Sequence, residues 1–182
     1  PIERDILKAG AAAVDVTPAK SMFLYGYPHV ERYSQGTHDP LYATALVLDN
    51  GHTEIAFCAV DVICITKDLT KEVRKRVKQT TGIPEEHIML SASHTHSGPK
   101  TLDMISNKND PVVPPVDKDY TDFLVDCLSR LINKAWAQRD TSELAVVTTT
   151  GKGIGGNRRD KNGLTDPEVP VIIVRRMRDK KV

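Results

Sequence analysis

The sequence predicts an α/β fold: a mixed β-sheet with one strand–helix–strand crossover and a second helix covering it. Three observations carry that prediction. An Asn50-Gly51 pair divides two apolar runs, a four-residue apolar period follows the second run, and another short apolar run follows the periodic segment. The first marks a hairpin, and the other two mark a crossover back to a parallel strand. The chain has 182 residues, 40% of them hydrophobic and 27% charged, with a net charge of +1. That composition excludes the disordered class, and the balanced charge gives no reason to expect nucleic acid or an anionic membrane as partner. The length suits one ordinary domain or a piece of something larger.

Taken in order, residues 11–16 read as a strand stopped by Thr17-Pro18, and residues 41–48 as a second. Asn-Gly favours a tight hairpin because its central residues accept positive φ, so residues 54–62 should pair antiparallel with the second strand. Leu69, Val73 and Val77 then recur at helical spacing, with Thr66 as N-cap and Thr81-Gly82, followed by Pro84, as the stop. Residues 87–93 complete the crossover. A polar, proline-bearing stretch, 98–116, leads to a second helix, where Tyr120, Phe123, Leu124, Cys127, Leu128, Leu131, Ile132, Ala135 and Trp136 trace one broad face. Residues 144–150 and 169–174 are further strands around a loop at 151–168. No linker is visible, so residues 1–182 form one α/β unit.

No apolar run reaches the roughly 18 residues needed to span a bilayer. Residues 1–5 lack the basic and apolar regions of a signal peptide, although a leader can have been removed before them. Cys58, Cys64 and Cys127 match neither a disulfide framework nor a zinc ribbon, and read as buried thiols.

The segment with most chemistry is His94-Thr95-His96, just past the carboxyl end of a strand predicted to be parallel, where open α/β sheets place their ligands. In extended backbone, residues i and i+2 share a side, so both imidazoles can face one cleft, one holding a metal and the other moving protons; the alternative is two polar residues on a loop. Asp61, ending the preceding strand, should emerge beside His94 and either fix a tautomer, touch a metal or serve as a turn carboxylate. His38 is a third ring near the cleft or a turn residue; His29, His52 and His87 occupy a loop, the hairpin turn and a strand start.

Gly151, Gly153 and Gly156 satisfy the dinucleotide fingerprint formally, but the polar, turn-rich sequence after them opens no helix and Arg175-Arg176 stand where an acid is needed. The glycines with Asn157-Arg158-Arg159 suggest a loop carrying a guanidinium toward an oxygen-rich group, or a plain surface loop. Lys71, Arg74, Lys75, Arg76 and Lys78 read as the solvated side of the first helix. Residues 175–182 look like a strand leaving the core into a turn.

Ser91-Ala-Ser-His-Thr-His-Ser-Gly-Pro99 resembles the zinc-site motif of the neutral, non-lysosomal ceramidases. Ala11-Ala-Ala-Val-Asp-Val-Thr-Pro18, Gly26-Tyr27, Leu41-Tyr-Ala-Thr-Ala-Leu-Val-Leu48, Val60-Asp61 and Asn157-Arg158 align with that family in the same order. The resemblance covers nearly the whole chain but only the amino-terminal part of the family's catalytic domain. It implies a zinc-dependent amidohydrolase that cleaves ceramide, or a related N-acyl substrate, into amine and fatty acid. By position, His94 would be a zinc ligand, His96 a proton-transfer group and Arg158 a contact to substrate or oxyanion. Asn157 would join Arg158 in substrate binding, with Asp61 and His38 as candidates to back the site. The family's Asn-Arg-Ser pattern is here Asn157-Arg158-Arg159. The remaining zinc ligands would come from polypeptide beyond residue 182, leaving this chain alone inactive and without firm zinc binding. Secretion or an extracellular face follows from the resemblance only. The competing reading is a non-catalytic domain that keeps the fold without a complete metal site, its glycine-rich basic loop then an anion-binding surface.

Overall fold

The computed structural model describes residues 6–27, 29–104 and 108–182. The N-terminal residues 1–5 and part of the 98–116 stretch therefore lie outside the described residues. Strand β1, Lys8–Asp15, starts earlier than its apolar pattern suggests, because Lys8 and Ala9 pair on both sides, with β2 (Tyr42–Asp49) and with β5 (Asp140–Thr150). Strand β3, Glu54–Val60, is antiparallel to β2, and β4, Ile88–Ala92, is parallel to β3. With β6, Glu168–Arg176, antiparallel to β5, the six strands lie in the order β4-β3-β2-β1-β5-β6. The sheet is mixed, as predicted.

The β2–β3 hairpin closes differently from the expected tight turn. Asp49 and Glu54 form the last pair, leaving a four-residue loop in which only Gly51 takes positive φ, at 86°. Asn50 contributes through its side chain instead, its Oδ1 accepting from His52 N at 3.0 Å and Thr53 N at 2.8 Å. Local side-chain hydrogen bonding has replaced the second left-handed residue.

Helix α1, Lys67–Thr81, connects β3 to β4. Thr66 Oγ1 caps it by accepting from Leu69 N, and Gly82, at φ 81°, ends it by donating to Lys78 O. Leu69, Val73 and Val77 are its buried residues, so the four-residue period is the buried stripe. Helix α2, Lys118–Ala137, is capped by Asp117 and buries Tyr120, Leu124, Val125, Cys127, Leu128, Leu131, Ile132 and Ala135 between the sheet and α1. Phe123, assigned to that face in sequence, is 39% exposed at its border. Helix α2 crosses β1 closely at Gly10, where a Cβ would stand 2.0 Å from Ala135 O, so only glycine allows the approach.

Both helices feed one core with the inward residues of the strands. On the opposite face Ala11, Ala13, Thr44, Leu46, Phe57 and Met89 line an open apolar trough. Among the described residues no helix is long and apolar enough to cross a membrane.

The candidate metal and proton-transfer site

β1, β3 and β4 run in the same direction, so Asp15, Val60 and Ala92 end at one edge of the sheet. Pairing continues beyond β4: Ser93 N donates to Val60 O at 3.0 Å and His94 N to Val62 O at 3.1 Å. His94 then turns the chain out of the strand with a left-handed φ of 60°, a conformation that non-glycine residues adopt at a cost. The extended geometry expected of the His-Thr-His segment is therefore broken at its first residue. The two rings still meet, with centroids 5.3 Å apart and planes at 67°.

Each imidazole is held differently. Nδ1 of His94 lies 2.8 Å from the carbonyl oxygen of Ile63 and 4.0 Å from the Cys64 sulfur. A backbone carbonyl can only accept, so it holds the proton on Nδ1 and leaves Nε2 with a lone pair. That is the tautomer required of a histidine that ligates a metal through Nε2. The thiol stands on the Nδ1 side of the ring, away from Nε2. Cys64 is only partly buried, unlike Cys58 and Cys127 and against the expectation for all three. Burial pushes the Cys58 thiol up to about 12.

His96 has no hydrogen bond to either ring nitrogen among the described residues; packing orients it. The segment after Phe23 pairs with the far end of the site loop through the Leu24–Pro99 bridge and the Tyr25 N–Gly98 O bond of 3.2 Å. This brings Gly26, at φ 123°, flat against the ring: a Cβ there would sit 2.3 Å from Cγ, 2.5 Å from Nδ1 and 2.7 Å from Cδ2 of His96. Gly26 thus packs on the Cγ end of the ring, and both ring nitrogens are without a hydrogen-bond partner among the described residues. Tyr27 meets the same ring edge to face at 5.0 Å. Beneath the loop, Lys100 is buried with its Nζ on Asp103 Oδ1 and Pro114 O, both at 2.6 Å, and burial raises the Tyr25 phenol above its ordinary value, with Asp103 adding to the shift.

Of the other sequence candidates, Asp61 and His38 line a cavity of about 600 Å³ with Thr95 and Ser97 of the site loop. Asp61 emerges at the right edge, but its Oδ2 accepts from Tyr42 N at 3.0 Å, so the described carboxylate contact ties β2 to β3. His38 pairs with its neighbour Asp39 at 2.7 Å on the exposed surface. Asn157 closes its own loop, Oδ1 accepting from Arg159 N and Asp160 N and Nδ2 donating to Leu164 O. Arg158 is exposed on that loop. It shares no hydrogen bond, ion pair or ring contact with His94 or His96 among the described residues. Strand β5 pairs antiparallel to β1 only at Lys8 and Ala9, and so leaves the sheet away from the edge that carries His94. Arg32, whose Nη1 donates to the His96 carbonyl oxygen at 3.3 Å, carries no signal in the sequence, since that link is long-range and follows no local period.

A family model for the neutral/alkaline non-lysosomal ceramidase N-terminal region matches residues 7–171. The chain belongs to that family. Neutral ceramidase 3 of Arabidopsis thaliana is 33% identical over 94 residues, 50% of this chain and 13% of that protein. The neutral ceramidase of Pseudomonas aeruginosa is 26% identical over 165 residues, 88% of this chain and 24% of the relative. Its crystal structure superposes with a TM-score of 0.82 at 22% identity, covering 97% of this chain and 30% of the other. A ceramidase complexed with C2 gives 0.80 at 22% identity, covering 94% and 29%. At that identity the likeness establishes the fold. The chain thus spans less than a third of the length of these ceramidases, and the ceramidase match includes the His94–His96 segment, Gly26-Tyr27 and Asn157-Arg158.

Proposed function

We propose that the chain is the amino-terminal part of a zinc-dependent amidohydrolase that cleaves the amide of ceramide or a related N-acyl lipid. The observation that carries this reading is the His94 ring, locked by Ile63 O with Nε2 free, beside a second imidazole with an open nitrogen, within a ceramidase-family segment. The donor set fits zinc in part: His94 would hold it through Nε2, while among the described residues no three His, Cys, Asp or Glu side chains converge. A usual four-coordinate site therefore needs ligands from further polypeptide of the same enzyme. Zinc, when bound, supplies Lewis acidity toward an amide carbonyl and toward water.

The remaining steps belong to this chain's own groups. His96 Nε2 accepts a proton as the attacking water adds to the carbonyl, and returns it to the leaving amine, since one imidazole nitrogen can accept and donate in turn. Arg158 is assigned to the substrate carbonyl or developing oxyanion by family position. Asn157 supports it by closing the loop beneath it.

The test is zinc content and ceramide hydrolysis in the natural full-length polypeptide, with His94→Ala and His96→Ala variants. The reading expects His94→Ala to lose zinc and activity together, and His96→Ala to keep zinc while losing activity by about 100-fold or more. Unchanged zinc in His94→Ala removes that residue from the ligand set. A polypeptide that neither holds zinc nor hydrolyses the amide leaves the non-catalytic reading in its place. One equivalent of zinc retained through dialysis by residues 1–182 alone would contradict the need for outside ligands.

A further inference from the structure

We propose that Tyr27 and Arg32 are positioning residues for His96, acting as a clamp that presents its Nε2 to the reacting amide; this rests on the function proposed above. The Arg32 guanidinium lies 4.6 Å over the Tyr27 ring, and its Nη1 donates to the backbone carbonyl of His96 at 3.3 Å. Tyr27 in turn meets the imidazole edge to face, with centroids 5.0 Å apart and planes at 85°. One cation thus grips residue 96 at both ends, directly at its carbonyl and through the tyrosine ring at its side chain. Gly26 closes the third side.

The need for such a clamp follows from the contrast between the two histidines. A hydrogen bond to Ile63 O fixes His94, whereas the His96 ring has none among the described residues. An imidazole held by packing alone rotates once a neighbour is removed, and its open nitrogen leaves the line of proton transfer. Arg32 reaches the loop because Leu24 N donates to Arg32 O at 2.8 Å and Phe23 bridges Tyr33, setting residues 32–34 alongside residues 22–24 beside the site. The geometry uses the ring of Tyr27 rather than its hydroxyl, and Arg32 rather than lysine, because one planar group must stack and donate together.

The experiment measures kcat, KM and zinc content of the full-length polypeptide with Tyr27→Leu, Tyr27→Phe and Arg32→Gln, together with the NMR shifts of the His96 ring protons. Tyr27→Leu and Arg32→Gln should lower kcat by about 10- to 100-fold, with KM within about two-fold and zinc unchanged. Tyr27→Phe should restore most of kcat, and Tyr27→Leu should move the His96 ring protons by removing the adjacent ring current. Unchanged His96 shifts in Tyr27→Leu, or a kcat within two-fold of the parent, would overturn the clamp. Failure of the underlying reading shows separately, as absence of hydrolysis in the parent or its insensitivity to His96→Ala, while the NMR arm still reports on the ring geometry.

Discussion

Replacing Gly26 by alanine is the sharpest perturbation available, because it acts on His96 without touching His94. The new Cβ would stand 2.3 Å from His96 Cγ, whereas non-bonded carbons rest at about 3.5–4.0 Å. Either the ring or its supporting loop must therefore move by about 1 Å or more. Alanine must also adopt the φ of 123° that glycine takes freely, at a cost of about 1–3 kcal/mol in folding stability. A shift of about 1 Å in a proton-transfer group costs roughly 100-fold in rate, equivalent to about 2.7 kcal/mol of barrier. Because the Ile63 tether on His94 lies outside this contact, the proposed function expects zinc affinity to hold. Steady-state ceramide hydrolysis, metal analysis and urea denaturation of Gly26→Ala in the full-length polypeptide, run side by side, separate these effects. A folded variant with kcat within two-fold of the parent refutes the packing argument. Zinc lost in step with activity would show that His94, not His96, had been displaced.

Three further outcomes follow from the scaffold. Tyr120→Phe removes the buried hydroxyl that donates to Val16 O at 3.0 Å, and should lower stability by about 1–2 kcal/mol in urea titrations. Asp117→Ala removes the α2 cap, whose Oδ1 accepts from Tyr120 N at 3.0 Å, and should cost about 1 kcal/mol at neutral pH. Lys20 foremost, then the Tyr120 N–H, hold the Asp117 carboxyl below its ordinary value. Its contribution is complete above the unfolded pKa of about 4 and fades as pH falls through the lower folded value, so parent and variant midpoints should converge in acid. Iodoacetamide on the native chain should label Cys64 well before Cys58 and Cys127, as mass spectrometry of the peptides would show; equal labelling would contradict the burial difference.

The sequence carried whatever depends on neighbours along the chain. Leu69, Val73 and Val77 reveal α1 because a helix returns every fourth residue to one face, and Thr66 and Gly82 mark its ends because their conformations are local. The apolar run after α1 marks the parallel strand, and hence the edge on which His94 stands. Asn50-Gly51 gave the hairpin but not its form, since the Asn50 side chain bonds to the next two amides but one and lengthens the loop. The site itself was legible only as a short string of histidines.

The different surroundings of the two rings were decided in three dimensions. Ile63 O selects the tautomer of His94, the left-handed turn at His94 replaces the alternation of a strand, and Gly26, Tyr27 and Arg32 arrive from some 70 residues away through the Leu24–Pro99 pairing. Asp61 and His38 look equally well placed along the chain, yet their carboxylate and ring are engaged by Tyr42 N and Asp39. Periodicity records which face a residue occupies, because backbone geometry repeats. Which group a side chain meets across that face depends on long-range packing, where sequence distance and spatial distance part company.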